Sequence, residues 1–270
     1  MLNTTLGSLY SALFPSDCRL CQSPLVTISR LPVCESCVNC IEPLPSDLCR
    51  ACGDLLPVGF QSAEGLCPEC AFEAPGFERA VAYGAYTSGL RELIHLLKYE
   101  QIRPAANVLG RMLAEAAASL ELTGEVTVIP VPLHASKLKT RGFNQSELIA
   151  RSALPLLQKH DNATYVLEAV AMKRRRETPS QVGMSREQRQ QNLRGAFAVT
   201  VPALVRDKQV LLVDDVLTTG ATVSECTRVL KRAGAQRVWV ATVARAVRVT
   251  DTFALAEHEH TVPLAMVAHG

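Results

Sequence analysis

The sequence carries almost no net charge. Its 28 Lys and Arg stand against 26 Asp and Glu, a balance of +2. No global argument for nucleic-acid binding follows, and any such contact must come from a local patch. The sequence also lacks an uncharged apolar run of membrane length. Residues 1–14 place Leu2, Leu6, Leu9, Tyr10 and Leu13 at helical spacing, but they lack a basic leader and are too short to span a bilayer. The expectation is a soluble, cytoplasmic protein with no membrane insertion. There is no low-complexity tract and no GxxxxGK[ST] loop. The missing loop removes a P-loop reading for any apolar strand that ends in acids. With 48% apolar residues among 270, the chain can bury a substantial core as one large or two smaller domains.

Cysteine is abundant and concentrated. Nine of the ten lie between residues 18 and 70. They form CxxC pairs, Cys18/Cys21, Cys34/Cys37, Cys49/Cys52 and Cys67/Cys70, with Cys40 left over. The pairs stand 12 residues apart in the first set and 14 in the second. A CxxC turn brings two thiolates to one ion, and two such turns complete a tetrahedral Cys₄ site. One or two structural zinc ions are expected, with neighbouring pairs assumed to join and crossed pairing left open. Iron–sulfur ligands cluster differently, and a cytosolic chain disfavours disulfides. Gly53, directly after Cys52, suits the left-handed residue of a metal knuckle. Cys40, three residues after Cys37, competes with it as a ligand on spacing alone. Cys226 reads as a buried small apolar residue. The segment 18–75 is rich in proline and poor in periodic apolar runs, so metal is expected to replace an ordinary core there.

Beyond Pro75–Gly76 the composition changes and strands alternate with helices. Strands are expected at 79–86, 126–131, 165–171, 209–213 and 237–243. Helices are expected at 90–99, 104–120, 143–159 (disturbed at Pro155) and 223–233. This order predicts an α/β fold with a parallel sheet flanked by helices, whose ligands bind beyond the carboxyl ends of the strands. The expected organisation is a cysteine-rich module over 1–75, an α/β domain over 76–245 and a C-terminal extension over 246–270. The extension contains HEH at 258–260, too local a cluster to bind metal alone.

The most informative string is VLLVDDVLTTGAT, residues 210–222. An apolar strand ends in Asp214 and Asp215, and a Gly/Thr loop follows at a helix start. The loop's N–H groups, its hydroxyls and the positive end of the helix attract a phosphate. The acids would repel that phosphate, so they face sugar hydroxyls or a metal ion. A phosphate at one end and a hydroxylated sugar at the other describe a sugar phosphate. A phosphoacceptor domain would leave the TTGAT loop without a role. A plain strand–turn–helix with N-cap threonines would not require two acids there. A second stretch, IPVPLHASKLKTRGFNQSE at 129–147, puts His134, Lys137, Lys139 and Arg141 after a strand, as a cationic loop suited to a diphosphate. A third, residues 173–194, holds seven Lys/Arg against two Glu. Its Arg174, Arg175, Arg176, Arg186 and Arg189 could serve a lid or bind nucleic-acid phosphates. It contains no aromatic residue, which argues against base stacking within it.

The 210–222 string resembles the phosphoribosyl-diphosphate (PRPP) signature of type I phosphoribosyltransferases. The resemblance implies that Asp214 and Asp215 hold the ribose 2′- and 3′-hydroxyls. It likewise implies that Thr218, Thr219, Gly220, Ala221 and Thr222 hold the 5-phosphate. Together with LIHLLKYE, RGFNQ, the TPSQVGMSREQRQQNLRGAF block and the N-terminal cysteines, residues 15–245 resemble the ComF family of competence-associated phosphoribosyltransferase-like proteins, also called GntX-like. That resemblance implies a type I phosphoribosyltransferase fold fused to a zinc-binding module. It implies Mg²⁺ bound with PRPP, and Pro132, Leu133, His134, Lys137 and Arg141 as the diphosphate loop. Single-stranded DNA and competence proteins become expected partners, with a homodimer left open. The activity is a pentosyl transfer with an unidentified acceptor, or else a non-catalytic PRPP- or nucleic-acid-binding module that keeps the fold. No paired aromatic and carboxylate marks a purine or pyrimidine site, and no recognition helix supports a transcriptional regulator.

Overall fold

The computed structural model describes residues 16–25, 30–57, 59–60, 62, 64–160, 162–177 and 186–246. The N-terminal helix expected over 1–14, and the extension after Ala246 with its HEH, lie outside the described residues. Two five-residue helices, α1 (Glu35–Asn39) and α2 (Pro68–Phe72), belong to the cysteine-rich segment. Then follow β1 (Ala80–Ala85), α3 (Ser88–Lys98), α4 (Ala105–Ala118), β2 (Gly124–Pro130), α5 (Ala135–Arg141), α6 (Gln145–His160) and β3 (Ala163–Leu167). The chain continues through β4 (Met172–Arg174), α7 (Arg186–Leu193), β5 (Phe197–Val199), β6 (Gln209–Leu217), α8 (Ala221–Arg232) and β7 (Arg237–Arg245). No helix among the described residues is long and apolar enough to cross a membrane.

Five strands form one parallel sheet in the order β1-β7-β6-β2-β3. Its central strands are apolar on both faces because helices cover both. Val128, Leu211, Val213 and Val243 pack with the apolar stripes of α3, α4 and α6. Ile129, Val210, Leu212 and Val240 pack on the opposite face, against Val223, Cys226 and Leu230 of α8. Cys226 is fully buried there. β4 and β5 form a separate antiparallel ribbon.

The cysteine-rich segment is not isolated from this core. Leu25, Leu31 and Val33 join the cluster that contains α3 and α4. The segment also covers the free edge of β1: Leu44 N–H donates to Tyr83 O at 2.6 Å, and Ala80 N–H donates to Ala51 O at 2.8 Å. An edge strand left uncovered would template pairing with other chains. Gly53 has φ 66°, the left-handed value expected of it, and a Cβ there would lie 2.8 Å from Ala80 O.

Several boundaries differ from the sequence reading. β3 starts and ends earlier than 165–171, at Ala163–Leu167, because its register with β2 ends at Val128↔Leu167. β6 runs four residues past Val213 to Leu217, because β7 pairs with it as far as Arg245. α8 begins at Ala221 rather than Val223. α6 runs unbroken through Pro155, whose ring sits on the exposed face. The packing of α6 on α4 sustains it: at Gly110 of α4, a Cβ would lie 2.5 Å from Ser152 Cβ of α6. Gly110→Val is therefore expected to force these helices apart and to destabilise the protein by about 1–3 kcal/mol. Denaturant unfolding checks this; a midpoint equal to the parent's would mean that the contact yields without cost.

Candidate functional site

β2 stops pairing with β6 at Pro130↔Val213, while β7 continues to Leu217↔Arg245. Asp214 and Asp215 therefore do not terminate their strand, as expected from sequence, but lie within it where its neighbour on one side has ended. Asp215 is ion-paired with Lys98, the last residue of α3, and both side chains are largely buried. Asp214 Oδ1 accepts from Ser146 Oγ at 3.0 Å and from the Asp215 N–H at 2.9 Å. Desolvation raises the Asp214 carboxyl to about 6, against the pull of Lys98, Ser146 and Arg174. Burial lowers Lys98 to about 8; Asp214 opposes this, and Arg141 and Lys137 reinforce it. An acid and a base with converging proton affinities thus lie close enough to interact, as at sites that bind and exchange charge.

The RGFNQS string builds the next wall. The residues after β2 were expected to form a cationic loop, but Ala135–Arg141 is a short helix, α5, and His134 Nδ1 accepts from Ser136 N–H at 3.3 Å at its start. Pro132 is buried and Leu133 partly so, in the link that leads to it. Lys137 and Lys139 are exposed. Arg141 instead folds over the Tyr99 ring at 5.7 Å and donates to Gln145 Oε1. Gly142, with φ 77°, ends α5. Asn144 then ties the entry of α6 to β2: its Nδ2 donates to Val131 O at 3.0 Å and its Oδ1 accepts from Ser146 N–H at 3.1 Å. That cap sets Ser146 against Asp214.

Thr218, Thr219 and Gly220 form the loop between β6 and α8, and Ala221 and Thr222 open the helix. Thr219 Oγ1 is buried without a hydrogen-bond partner among the described residues. A buried hydroxyl left in this state costs free energy unless a ligand meets it. Beside the loop is a cavity of about 490 Å³, lined on one side by Thr218, Thr219 and Ser224 and on the other by Cys52, Asp54 and Cys67.

The eight paired cysteines form two tetrads, Cys18/Cys21/Cys34/Cys37 and Cys49/Cys52/Cys67/Cys70, each with its sulfurs within 4.8 Å of one another. Neighbouring pairs therefore join and crossed pairing does not occur. Zn–S bonds of about 2.3 Å in a tetrahedron require sulfurs about 3.8 Å apart. Cys21 and Cys34 Sγ are 3.7 Å apart, and Cys52 and Cys67 Sγ are 3.8 Å apart. Backbone N–H groups point at the sulfurs, Cys34 N–H at Cys18 (3.3 Å) and Cys67 N–H at Cys49 (3.2 Å). Burial pushes the Cys18 thiol up, but the N–H groups of Cys21, Cys34 and Leu20 outweigh it and bring it down to about 6. Both tetrads can hold a metal ion, and their geometry fits zinc. Cys40 is exposed and belongs to neither.

The basic segment divides into unlike parts. Arg174 lies on β4 with its guanidinium 5.4 Å over the Phe197 ring. Burial lowers its pKa, while Cys226, Asp214 and Glu177 oppose the shift. Arg176 donates to the carbonyls of Asn192 (2.6 Å) and Arg194 (3.2 Å), and so holds the end of α7. Gly195 N–H donates to Glu225 Oε1 at 2.7 Å, which pins the same end to α8. Arg175 is exposed. Arg186 and Arg189 fall on α7, and residues 178–185 lie outside the described residues. The arginine triplet is thus one cation turned toward Asp214, one structural clamp and one solvent-facing charge. Lys98 and Ser146 were not picked out from sequence, and Arg174 was picked out only as a lid or nucleic-acid candidate, not as a cation near Asp214. Ser146 follows a capping Asn and Lys98 closes an amphipathic helix, signals of local structure that do not reveal which acid each would meet.

The phosphoribosyl transferase domain family matches residues 148–251. The DNA utilization protein YhgH of Salmonella typhi is 33% identical over 230 residues, 84% of this chain and 95% of the relative. Competence protein F of Haemophilus influenzae is 30% identical over 224 residues, 81% of this chain and 93% of the relative. Competence protein ComFC of Streptococcus pneumoniae is 24% identical over 226 residues, 82% and 86% of the two chains.

Proposed function

The chain belongs to the ComF family of phosphoribosyltransferase-type proteins, and from that membership we propose that it binds Mg²⁺·PRPP and transfers the phosphoribosyl group to an acceptor. The observation that carries the reading is the position of Asp214 and Asp215, beyond the end of β2 and just before a Thr/Gly loop that opens α8. In this reading the two carboxylates hold the ribose 2′- and 3′-hydroxyls. Thr218, Thr219, Gly220, Ala221 and Thr222 hold the 5-phosphate. Pro132, Leu133, His134, Lys137 and Arg141 hold the diphosphate, to which the Mg²⁺ is bound as part of the substrate. The acceptor's lone pair forms a bond to C1, and the C1–O bond breaks with its electrons leaving on diphosphate. Lys98 and Arg174 stabilise charge around the acids. Residues 1–75 act as a zinc-binding module, 76–245 as the transferase unit and 246–270 as an extension of a cytoplasmic protein.

The titration of Asp214 tests this reading. Its carboxyl is raised to about 6, so it is ionised above that pH and neutral below it. A neutral carboxyl accepts poorly from a ribose hydroxyl. Mg²⁺·PRPP affinity is expected to fall up to about tenfold per pH unit as pH drops below 6. The groups facing Asp214 are Lys98, Arg174, Ser146 and Cys226, and the cations among them stay charged over that range. Asp214→Asn should bind weakly with only the ligand's own pH dependence. Calorimetry that gives the parent and Asp214→Asn the same profile would overturn the assignment.

The names of the relatives and the net charge of +5 over residues 173–194 support a second part of the proposal: weak, sequence-independent binding of single-stranded DNA in DNA uptake or DNA metabolism. Affinity should fall steeply with salt. Arg175→Ala should flatten the salt slope by about 0.7, whereas Arg174→Ala should weaken PRPP binding more than DNA binding. A salt slope unchanged in an Arg174, Arg175, Arg176 triple Ala variant would remove this segment from any DNA contact.

A further inference from the structure

The two tetrads are alike in geometry but not in connection. The first packs through Leu20 and Ile41 near Gly89, at the start of α3. Its polar ties to the rest of the chain include the exposed Arg19–Glu100 pair and the Tyr83 hydroxyl, which donates to Ile41 O at 3.1 Å. The second faces the cavity beside the Thr218–Gly220 loop. One buried residue, Arg245, joins that tetrad to the loop.

The backbone of Arg245 holds the strand that carries the loop. Arg245 is the β7 partner of Leu217, the residue before Thr218. The next residue, Ala246, donates its N–H to Leu217 O at 2.9 Å. The side chain of Arg245 turns to the cysteine module. Its Nε donates to Asp54 Oδ1 at 3.0 Å and its Nη1 to Cys52 O at 2.6 Å, and its Nη2 lies 3.8 Å from Cys52 Sγ. A metal held by four thiolates leaves net negative charge on the sulfurs, and a guanidinium at this distance offsets it. Losing the metal would loosen the Cys52 turn and with it the hold on the Arg245 side chain, which Cys52 shares with Asp54, whose Oδ2 also lies 2.9 Å from Nη2.

We propose that Arg245 couples metal occupancy of the Cys49/Cys52/Cys67/Cys70 tetrad to the Thr218–Gly220 loop, so that this tetrad works as part of the phosphoribosyl site while the first only staples the fold. The proposal rests on the PRPP reading above. It assigns to Arg245 a positioning role. Linkage makes the coupling reciprocal: whatever the metal does for PRPP affinity, PRPP does for metal affinity.

The test uses the full-length, zinc-loaded protein and a chromogenic chelator that reports zinc release. Two release phases are expected in the wild type. Mg²⁺·PRPP should slow one of them at least tenfold and leave the other unchanged. The combined Cys34→Ser and Cys37→Ser variant should lose the unprotected phase and keep the protected one. Arg245→Met should lose the protection and bind Mg²⁺·PRPP about tenfold more weakly, about 1.4 kcal/mol. Arg245→Lys, which keeps the charge, should recover part of both. Because Arg245→Met leaves all eight ligands in place, its release kinetics remain informative should the cysteine variant fold poorly. Wild-type protein that shows no PRPP binding by calorimetry would end both the reading and the coupling. Binding that protects both zinc ions equally, or neither, or that survives unchanged in Arg245→Met, would overturn the coupling alone.

Discussion

Replacing Asp214 and Asp215 together with alanine should abolish measurable Mg²⁺·PRPP binding. Each carboxylate is assigned a charged hydrogen bond to a ribose hydroxyl, and such bonds contribute about 1.5–3 kcal/mol each. The pair therefore accounts for an affinity loss of about a hundredfold to ten-thousandfold. The two single variants should differ in stability. Asp214 is raised to about 6 by desolvation, so removing it relieves a strained charge and should cost the fold little. Asp215 pairs with a largely buried Lys98, so removing it strands an ammonium and should lower the melting temperature. Combining Asp215→Ala with Lys98→Met should restore most of that loss without restoring binding. Calorimetry with unchanged affinity in the double Ala variant would refute the sugar site. A variant that melts with its parent would also show that the lost binding is not unfolding.

Elemental analysis should find two zinc ions per chain, and stripping them should cost the most stability of any treatment considered. Structural zinc sites contribute on the order of 10 kcal/mol of folding free energy at neutral pH. In this chain the loss would spread, because Leu25, Leu31 and Val33 are part of the core built on α3 and α4. Chelator should therefore lower the melting temperature of the whole protein, not of a detached module. A preparation without zinc, or one with iron and sulfide, would refute the assignment.

The strands were legible because apolar runs such as Val210–Val213 have one physical use in a chain of this composition. The tetrads were legible because CxxC spacing restricts where two sulfurs can meet. Lys98 and Ser146 were not, because their partners lie 117 and 68 residues away, the differences between positions 98 and 215 and between 146 and 214. Tertiary packing alone brings them together. The extension of β6 to Leu217 had no local signal either, since its far half has a partner only in β7. The basic run 173–176 misled in a different way. Charge counts treat Arg174, Arg175 and Arg176 alike, but pleating and the ribbon with β5 give them three different surroundings.

The strand order β1-β7-β6-β2-β3 has a consequence for how the protein is made. Among the described residues β7 is the last strand to leave the ribosome, and it takes its place between β1 and β6. Until it arrives, β1 has no sheet partner, and the cysteine segment covers only one of its edges. Arg245 is the final residue of that late strand, so the second tetrad can gather metal during synthesis but cannot be locked until residue 245 has been made. The most sequence-distant contacts close last and set the pace. A nascent chain stalled before residue 237 should carry metal-competent cysteines beside an open strand edge, the form most in need of a chaperone.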